Sequence, residues 1–212
     1  MIGEGIYAFW KPKGVSSAGF LRKIKKENGI KKIGHAGTLD PLAEGILVVG
    51  IGKGTKLLTN VSGSEKEYMG VVRLGVVSET DDEEGKKTEI YYPKIPTRRA
   101  VLKALRSFKN EREQIPPVYS AIKISGKEAY KRVRKGEKME MKSRPAEIKK
   151  IKLLSYEWPF VSFSVITGPG VYIRAIARDL GDKLGTGGYL SSLTRNRVGK
   201  FRKSNAMVQE KL

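Results

Sequence analysis

The order of the apolar segments along this chain is the feature that most constrains its fold. Strand-like apolar runs and amphipathic helical segments follow one another without strict β-α-β alternation. The strand-like runs lie at 5–10, 46–51, 66–75 and 147–166, and the helical segments at 16–29, 97–108 and 171–185. No internal repeat, heptad pattern or low-complexity linker interrupts them. This order predicts an α+β fold with a mixed sheet, formed by one domain over residues 1–212.

Helix start and stop signals support the three helical segments. Ser16 or Ser17 is placed to cap the first helix, and Gly29 follows it. Thr97 precedes the second, whose apolar residues fall on one face, and Gly185 ends the third. Hydroxyl residues before a helix and glycine after it are the usual boundaries.

The charge balance indicates a polyanionic partner. The chain has 42 Lys and Arg against 22 Asp and Glu, a formal net charge of +20. Nucleic acid is the leading candidate, because neutralising phosphates and releasing counterions supply affinity. A membrane is less favoured, since no run reaches the ~18 apolar residues of a spanning helix. The N-terminal residues also lack the pattern of a signal peptide, so we expect a cytoplasmic protein.

The residue types restrict the chemistry. The 212 residues include no cysteine and one histidine, His35. Thiolate nucleophiles and cysteine–zinc sites are therefore excluded, and no metal site is predicted. The segment GIGKGTK at 50–56 suggests a phosphate-binding loop but lacks the required spacing. Carboxylates, hydroxyls and cations remain, and no nucleotide cofactor is expected.

Five sequence blocks carry a family resemblance. They are KPKGVSS at 11–17, GHAGTLDPLAEGILVVGIGKGTK at 34–56, KEYMGVVRLGVVSETDDEEG at 66–85, PPVYSAIKISGKEAYKRVRKGE at 116–137 and GVYIRAIARDLGDKLG at 170–185. In this order they resemble the tRNA pseudouridine synthase B (TruB) family, which includes the dyskerin relatives. The resemblance implies the pseudouridine synthase α+β fold, a mixed and largely antiparallel sheet flanked by helices.

The resemblance also implies an activity. Such an enzyme isomerises uridine 55 in the T loop of tRNA to pseudouridine, without cofactor or metal. We expect tRNA as the partner, no membrane, no obligate protein partner and a monomer. The chain ends at Leu212, soon after VGKF, so the C-terminal RNA-binding domain usual in the family is expected to be absent.

Three catalytic roles follow from the matched motifs. Asp40 corresponds to the family's nucleophile, Arg174 to the arginine that pairs with it, and Tyr68 to the tyrosine that stacks on the target base. From the residues alone, Asp40 in an Asp-Pro turn could instead be a capping residue. Tyr68 could equally be an ordinary aromatic on a strand face, and Arg174 a phosphate contact.

Four further residues are implied to meet the substrate. His35 is expected beside the flipped-out RNA bases, and Tyr172 and Leu193 are expected to line the base pocket. Asp82 matches an acidic residue near the site, with the register inside ETDDEE open by one residue. A surface or core position for His35 and a core position for Leu193 are the alternatives.

Two basic stretches, Lys123–Lys138 and Arg195–Arg202, are predicted to bind phosphates. Ala36 and the segment GPG at 168–170 depart from the family pattern, which affects the expected affinity rather than the chemistry. Two other functions remain open: a non-catalytic tRNA-binding or tRNA-folding protein, and a dyskerin-like synthase directed by guide RNA.

Overall fold

The structure is a computed structural model that describes residues 2–120, 122–124, 126–133, 135–137 and 139–207. Strands and helices alternate irregularly along these ranges. The strands are β1 (Gly5–Lys11), β2 (Ile33–His35), β3 (Glu44–Ile51), β4 (Lys66–Leu74), β5 (Val76–Ser78), β6 (Lys87–Glu89), β7 (Glu113–Gln114), β8 (Lys123–Ile124), β9 (Lys127–Glu128), β10 (Arg144–Pro145), β11 (Ile148–Glu157), β12 (Phe160–Thr167), β13 (Gly188–Val198), β14 (Phe201–Arg202) and β15 (Ala206–Met207). The α-helices are α1 (Ser17–Glu27), α2 (Leu58–Ser62), α3 (Arg98–Ser107), α4 (Ala129–Val133) and α5 (Ile173–Leu184).

A mixed sheet is the main element of the fold. Its strand order is β11-β12-β4-β13-β3-β1-β15, with β2 added beside β3 and β14 beside β13. Strand β3 pairs antiparallel with β1 and parallel with β13. Two-stranded pairs form from β7 and β10, from β5 and β6, and from β8 and β9. The predicted α+β fold with a mixed, largely antiparallel sheet is confirmed.

The chain forms two compact units. The first contains the residues up to Met69, Ser164–Pro169 and the residues from Ser192 onward, and the second contains Gly70–Phe163 and Gly170–Ser191. Three strands, β4, β12 and β13, have residues in both units. The prediction of a single catalytic domain over the whole chain stays a prediction.

The first unit is built around β1 and β3. Alternate residues of these strands form an apolar cluster that includes Ala8, Ile46 and Val48. Helix α1 adds its buried Phe20, which meets Phe9 edge to face at 6.2 Å between ring centroids. Burying such side chains contributes about 1.5–3 kcal/mol each, so β1, β3 and α1 support the loop between β2 and β3.

The second unit is built around two helices. Helix α3 packs against β11 and α5 through Val101 and Leu105, which are fully buried. Helix α5 buries most of its side chains, and Gly185 follows it with a φ of 67°. Only glycine adopts this left-handed conformation without strain, so the helix ends here.

The helix boundaries agree with the sequence signals. Ser16, rather than Ser17, is the N-cap of α1, and its side chain accepts a hydrogen bond from the Gly19 amide at 3.0 Å. Thr97 caps α3 by accepting from the Ala100 amide at 3.2 Å. Within the described ranges, no helix is long and apolar enough to cross a membrane.

Gly54, in the segment that suggests a phosphate loop, has a packing role. It lies in a 3-10 turn after β3, where a Cβ atom would stand 2.0 Å from the Gly5 carbonyl oxygen on β1. Gly54→Ala should therefore lower the free energy of unfolding by about 1–3 kcal/mol. Urea denaturation measures the change. The control is Gly63→Ala, where the nearest atom is 3.8 Å away; equal effects of both substitutions would contradict the packing role.

Candidate active site

The loop that carries Asp40 is held by the N-terminal motif. Asp40 is half-buried between β2 and β3. The Ser17 hydroxyl accepts a hydrogen bond from the Leu39 amide at 2.9 Å and donates to the Leu39 carbonyl at 2.8 Å. The Gly14 amide donates to the Pro41 carbonyl at 2.7 Å. The blocks KPKGVSS and GHAGTLDPL, separate in sequence, thus form one structure around Asp40.

His35 is the last residue of β2 and is partly buried. Burial and the positive charge of Arg195 lower the pKa of His35 below its usual 6.5, and a hydrogen bond with the Gly37 backbone acts in the opposite direction. The imidazole is therefore neutral at pH 7. A neutral ring is suited to stacking and hydrogen bonding, the role that the resemblance implies.

The predicted phosphate-binding role of the stretch Arg195–Arg202 is wrong for its first two arginines. Arg195 is 1% exposed and donates to backbone carbonyls, because β13 places its side chain in the interior. Arg197 is bound by Glu65 at 2.6 Å and Glu67 at 3.2 Å. Lys200 and Arg202 are exposed. In the other basic stretch, residues 125, 134 and 138 lie outside the described residues.

Tyr68 and Leu193 both lie inside the first unit. Tyr68 is on β4 and 6% exposed, and Leu193 is on β13 and 7% exposed. Burial of this degree is compatible with a core position for both residues. It is equally compatible with the wall of a base pocket, so their substrate roles stay predictions.

In the second unit, Arg174 forms a buried ion pair with Asp82. The Arg174 Nη1 atom lies 3.2 Å from the Asp82 carboxylate, and both side chains are more than nine-tenths buried. The guanidinium also donates to the carbonyls of Thr80 and Tyr119, each at 3.0 Å. These bonds orient the planar fork of Arg174. The ion pair places Asp82 beside Arg174, and the position of Asp82 near the reacting base stays a prediction.

Tyr172 precedes helix α5 and is fixed through its backbone. The Gln114 side chain accepts from the Tyr172 amide at 2.9 Å and donates to the Tyr172 carbonyl at 3.1 Å. Asp40 belongs to the first unit and Arg174 and Tyr172 to the second. The pairing of Arg174 with Asp40 stays a prediction.

Asp81, next to Asp82, has an unusual environment. It is the one described non-glycine residue with a positive φ, 60°, and its carboxylate meets Arg178 at 3.0 Å. Burial raises the pKa of Asp81 from 3.8 to about 6, although Arg178 and Arg174 act to lower it. A folded-state pKa above the unfolded one means that the folded protein binds the proton more tightly.

The stability of the protein should therefore change with pH through Asp81. Between about pH 4 and pH 6 the folded state holds the proton that the unfolded state has released, so stability falls as pH rises. Asp81→Asn keeps a residue that tolerates positive φ and removes this titration. The free energy of unfolding of the wild type relative to Asp81→Asn should fall by up to ~3 kcal/mol from pH 4 to pH 7. A pH-independent difference in urea denaturation would contradict the shifted pKa.

Comparison with known proteins identifies the family. A sequence model described as the TruB family pseudouridylate synthase N-terminal domain matches residues 25–173, more than half of the chain. The chain belongs to the TruB family. The family predicted from the five sequence blocks is thereby confirmed.

Curated relatives of this TruB-family chain are each named tRNA pseudouridine synthase B. That of Leifsonia xyli subsp. xyli is 40% identical over 208 residues, which cover 95% of this chain and 69% of the relative. That of Clostridium acetobutylicum is 40% identical over 209 residues, covering 99% of this chain and 72% of the relative. That of Ehrlichia ruminantium is 42% identical over 207 residues, which cover 95% of this chain and 69% of the relative.

Solved structures share the fold. A crystal structure of a Cbf5-Nop10-Gar1 complex matches with a TM-score of 0.75 and 27% identity, over 96% of this chain and 52% of that chain. A structure of an H/ACA RNP bound to a substrate RNA containing 2′-deoxyuridine matches with a TM-score of 0.67 and 24% identity. The match covers 96% of this chain and 50% of that chain. The chain spans about half the length of these structural relatives.

Sequence reasoning missed several residues that hold the site. Ser17 is visible in the sequence only as a cap candidate, yet it binds Leu39. Gln114 lies in an unremarkable segment and contacts Tyr172 across 58 residues of sequence. The two-residue spacing from Leu193, which places Arg195 on the same face of β13, is the one signal that could have indicated its burial.

Proposed function

We propose that this protein is a stand-alone tRNA pseudouridine synthase that isomerises uridine 55 in the T loop. The observation that carries the proposal is Asp40 itself, half-buried on a loop whose backbone is fixed by Ser17 and Gly14. Membership of the TruB family and the shared name of the relatives support it. Because tRNA is the proposed substrate, the cytoplasm is the proposed compartment.

The reaction needs a nucleophile and no redox partner. The bond between ring N1 and ribose C1′ breaks, C5 bonds to C1′, and the hydrogen of C5 leaves as a proton while N1 gains one. Atoms and electrons balance within the nucleotide. A carboxylate such as Asp40 serves as nucleophile, either at C1′ or at ring carbon 6, and forms the covalent intermediate.

Four side chains are assigned to the reacting base and to Asp40. Arg174, which Asp82 holds through the buried ion pair, is assigned to pair with Asp40. Tyr68 stacks on the uracil ring and assists removal of the C5 proton. Tyr172 and Leu193 are assigned contacts with the base.

The target uridine must leave the RNA stack before it reacts. Extrusion costs a few kcal/mol, which contacts to the displaced bases have to offset. His35, neutral at pH 7 and five residues before Asp40, is assigned to these contacts. Its imidazole stacks and hydrogen-bonds there without acting as a general base.

The basic surface provides the remaining affinity. The solvent face of α1 carries Arg22, Lys25 and Lys26, all exposed, and Lys31 and Lys32 continue it into β2. These cations belong to the same unit as Asp40, and Ser17 at the start of α1 binds the Asp40 loop. Phosphates of the T arm are the ligands proposed for them.

A direct test uses the purified protein with an unmodified tRNA transcript, without guide RNA or other proteins. Pseudouridine is mapped by carbodiimide labelling and reverse-transcription stops. A single stop at position 55 is expected. Tight tRNA binding without any stop would favour the non-catalytic binding protein. A stop only after a guide RNA and partner proteins are added would favour the dyskerin-like function.

A further inference from the structure

The loop that carries Asp40 has a donor for each carbonyl from Gly37 to Pro41. The donors to these five oxygens are the Arg195 guanidinium for Gly37 (3.1 Å) and Thr38 (3.1 Å), the Ser17 hydroxyl for Leu39 (2.8 Å), the Ala43 amide for Asp40 (3.1 Å) and the Gly14 amide for Pro41 (2.7 Å). A loop bonded in this way has little conformational freedom. The direction of the Asp40 Cα–Cβ bond is therefore set by the loop.

Arg195 joins the two sides of this loop. Its Nη1 and Nη2 atoms bind Thr38 and Gly37 before Asp40, and its Nε atom donates to the Ile46 carbonyl at 2.7 Å after it. The planar guanidinium of Arg195 thus fixes the distance between the chain segments before and after Asp40. A flexible ammonium could not satisfy three carbonyls in this fixed geometry.

The pairing of β13 with β3 in the sheet fixes the backbone of Arg195. Its backbone pairs with Gly45, where a Cβ atom would stand 2.3 Å from the Arg195 carbonyl oxygen. The close approach of β13 to β3 therefore requires glycine at this position. The guanidinium projects from a fixed point into the interior below the loop, where it is 1% exposed.

Burial of the Arg195 charge does not by itself stabilise the fold. A second buried cation, Lys66, donates to the Ser62 and Ser64 carbonyls, and burial together with Arg195 lowers the pKa of Lys66 to about 8. Two buried like charges repel, and an apolar side chain of similar size would avoid both the repulsion and the desolvation. A guanidinium at this position is explained by what it does to the loop rather than by packing.

We propose that Arg195 is a positioning residue, which holds the Asp40 loop in the conformation in which the carboxylate attacks the uridine. It acts through the carbonyls of Gly37, Thr38 and Ile46 and not by touching the RNA. The inference rests on the proposed function, since it assigns Arg195 a part in that reaction.

The test compares Arg195→Lys and Arg195→Gln with Arg197→Lys. Arg197 is two residues further along β13, and its carboxylate partners make it a matched control of the same residue type. Three quantities are measured: the single-turnover rate of tritium release from tRNA labelled at carbon 5 of uridine, the Kd for tRNA, and the thermal midpoint.

Arg195→Lys should remain folded and bind tRNA as the wild type does, with a single-turnover rate about 100-fold lower, because a misplaced nucleophile costs rate and not affinity. Arg197→Lys should change the rate no more than about threefold. Guanidinium ion at millimolar concentration should restore part of the rate of Arg195→Gln, with sodium chloride as the ionic-strength control.

Four results would overturn the proposal. The first is a folded Arg195→Lys that reacts as fast as Arg197→Lys, and the second is an Arg195→Lys that loses only tRNA affinity. The third is a loss of rate in Arg195→Gln that guanidinium does not restore. The fourth is an Arg195→Lys that fails to fold, which would make Arg195 a determinant of the fold. An inactive wild type would instead refute the proposed function, so the two failures are distinguishable.

Discussion

Asp40→Asn is expected to lower the single-turnover rate of pseudouridine formation by at least ~10⁴-fold, as removal of a nucleophile does. The amide is nearly the same size as the carboxylate but cannot form the covalent bond. Asp40 is half-buried, and the hydrogen bonds that fix its loop involve backbone groups of Leu39 and Pro41. The thermal midpoint and the Kd for tRNA should therefore remain close to those of the wild type.

The control for this substitution is Asp182→Asn, which removes an exposed carboxylate of helix α5. Both variants change the net charge by the same amount, so a general electrostatic effect on RNA binding would appear in both. An Asp40→Asn variant that keeps a tenth or more of the wild-type rate would show that Asp40 is not the nucleophile.

Arg174→Lys is expected to lower both the stability and the rate. The substitution keeps the charge beside Asp82 but loses the fork that binds Thr80 and Tyr119. We expect the free energy of unfolding to fall by about 1–3 kcal/mol, because buried carbonyls lose their donors. The single-turnover rate should fall about 100-fold, because a lysine cannot offer the oriented fork that is proposed to pair with Asp40.

Arg178→Lys provides the comparison for Arg174. Arg178 is one helical turn further along α5 and pairs with Asp81 and Asp179, with a quarter of its side chain exposed. Its replacement should change the rate by less than about threefold, because partly exposed ion pairs contribute little. Equal losses of rate in the two variants would contradict a specific role for Arg174.

Local signals in the sequence predicted the elements of the fold that depend on short-range interactions. Helix α1 begins after Ser16 and α3 after Thr97, and Gly29 and Gly185 lie just beyond the ends of α1 and α5, as predicted, because these residues act on the backbone within one turn. The strand predicted at 46–51 is β3, which begins two residues earlier at Glu44. Its apolar run is buried almost throughout, as the sequence predicts for a strand in the interior of the sheet, here between β1 and β13.

The long-range interactions could not be predicted from the sequence. The pairing of Ser17 with Leu39 joins residues 22 positions apart, and that of Arg195 with Gly37 joins residues 158 positions apart. An arginine in a basic segment favours a solvent position, and Arg195 is buried because the register of β13 against β3 turns it inward. The ion pair of Asp82 with Arg174 was not predicted, because the resemblance pairs Arg174 with Asp40 and implies for Asp82 only a position near the site.

The central claim is an Asp40-dependent isomerisation of one uridine, and tritium release tests it most directly. The wild-type protein is mixed, with chelator and without cofactor, with a tRNA transcript labelled at carbon 5 of its uridines. Release of one equivalent of tritium per tRNA is predicted, and it should disappear when uridine 55 is replaced by cytidine or Asp40 by asparagine. Tight binding of the transcript without release, or release that is independent of position 55, would contradict the claim.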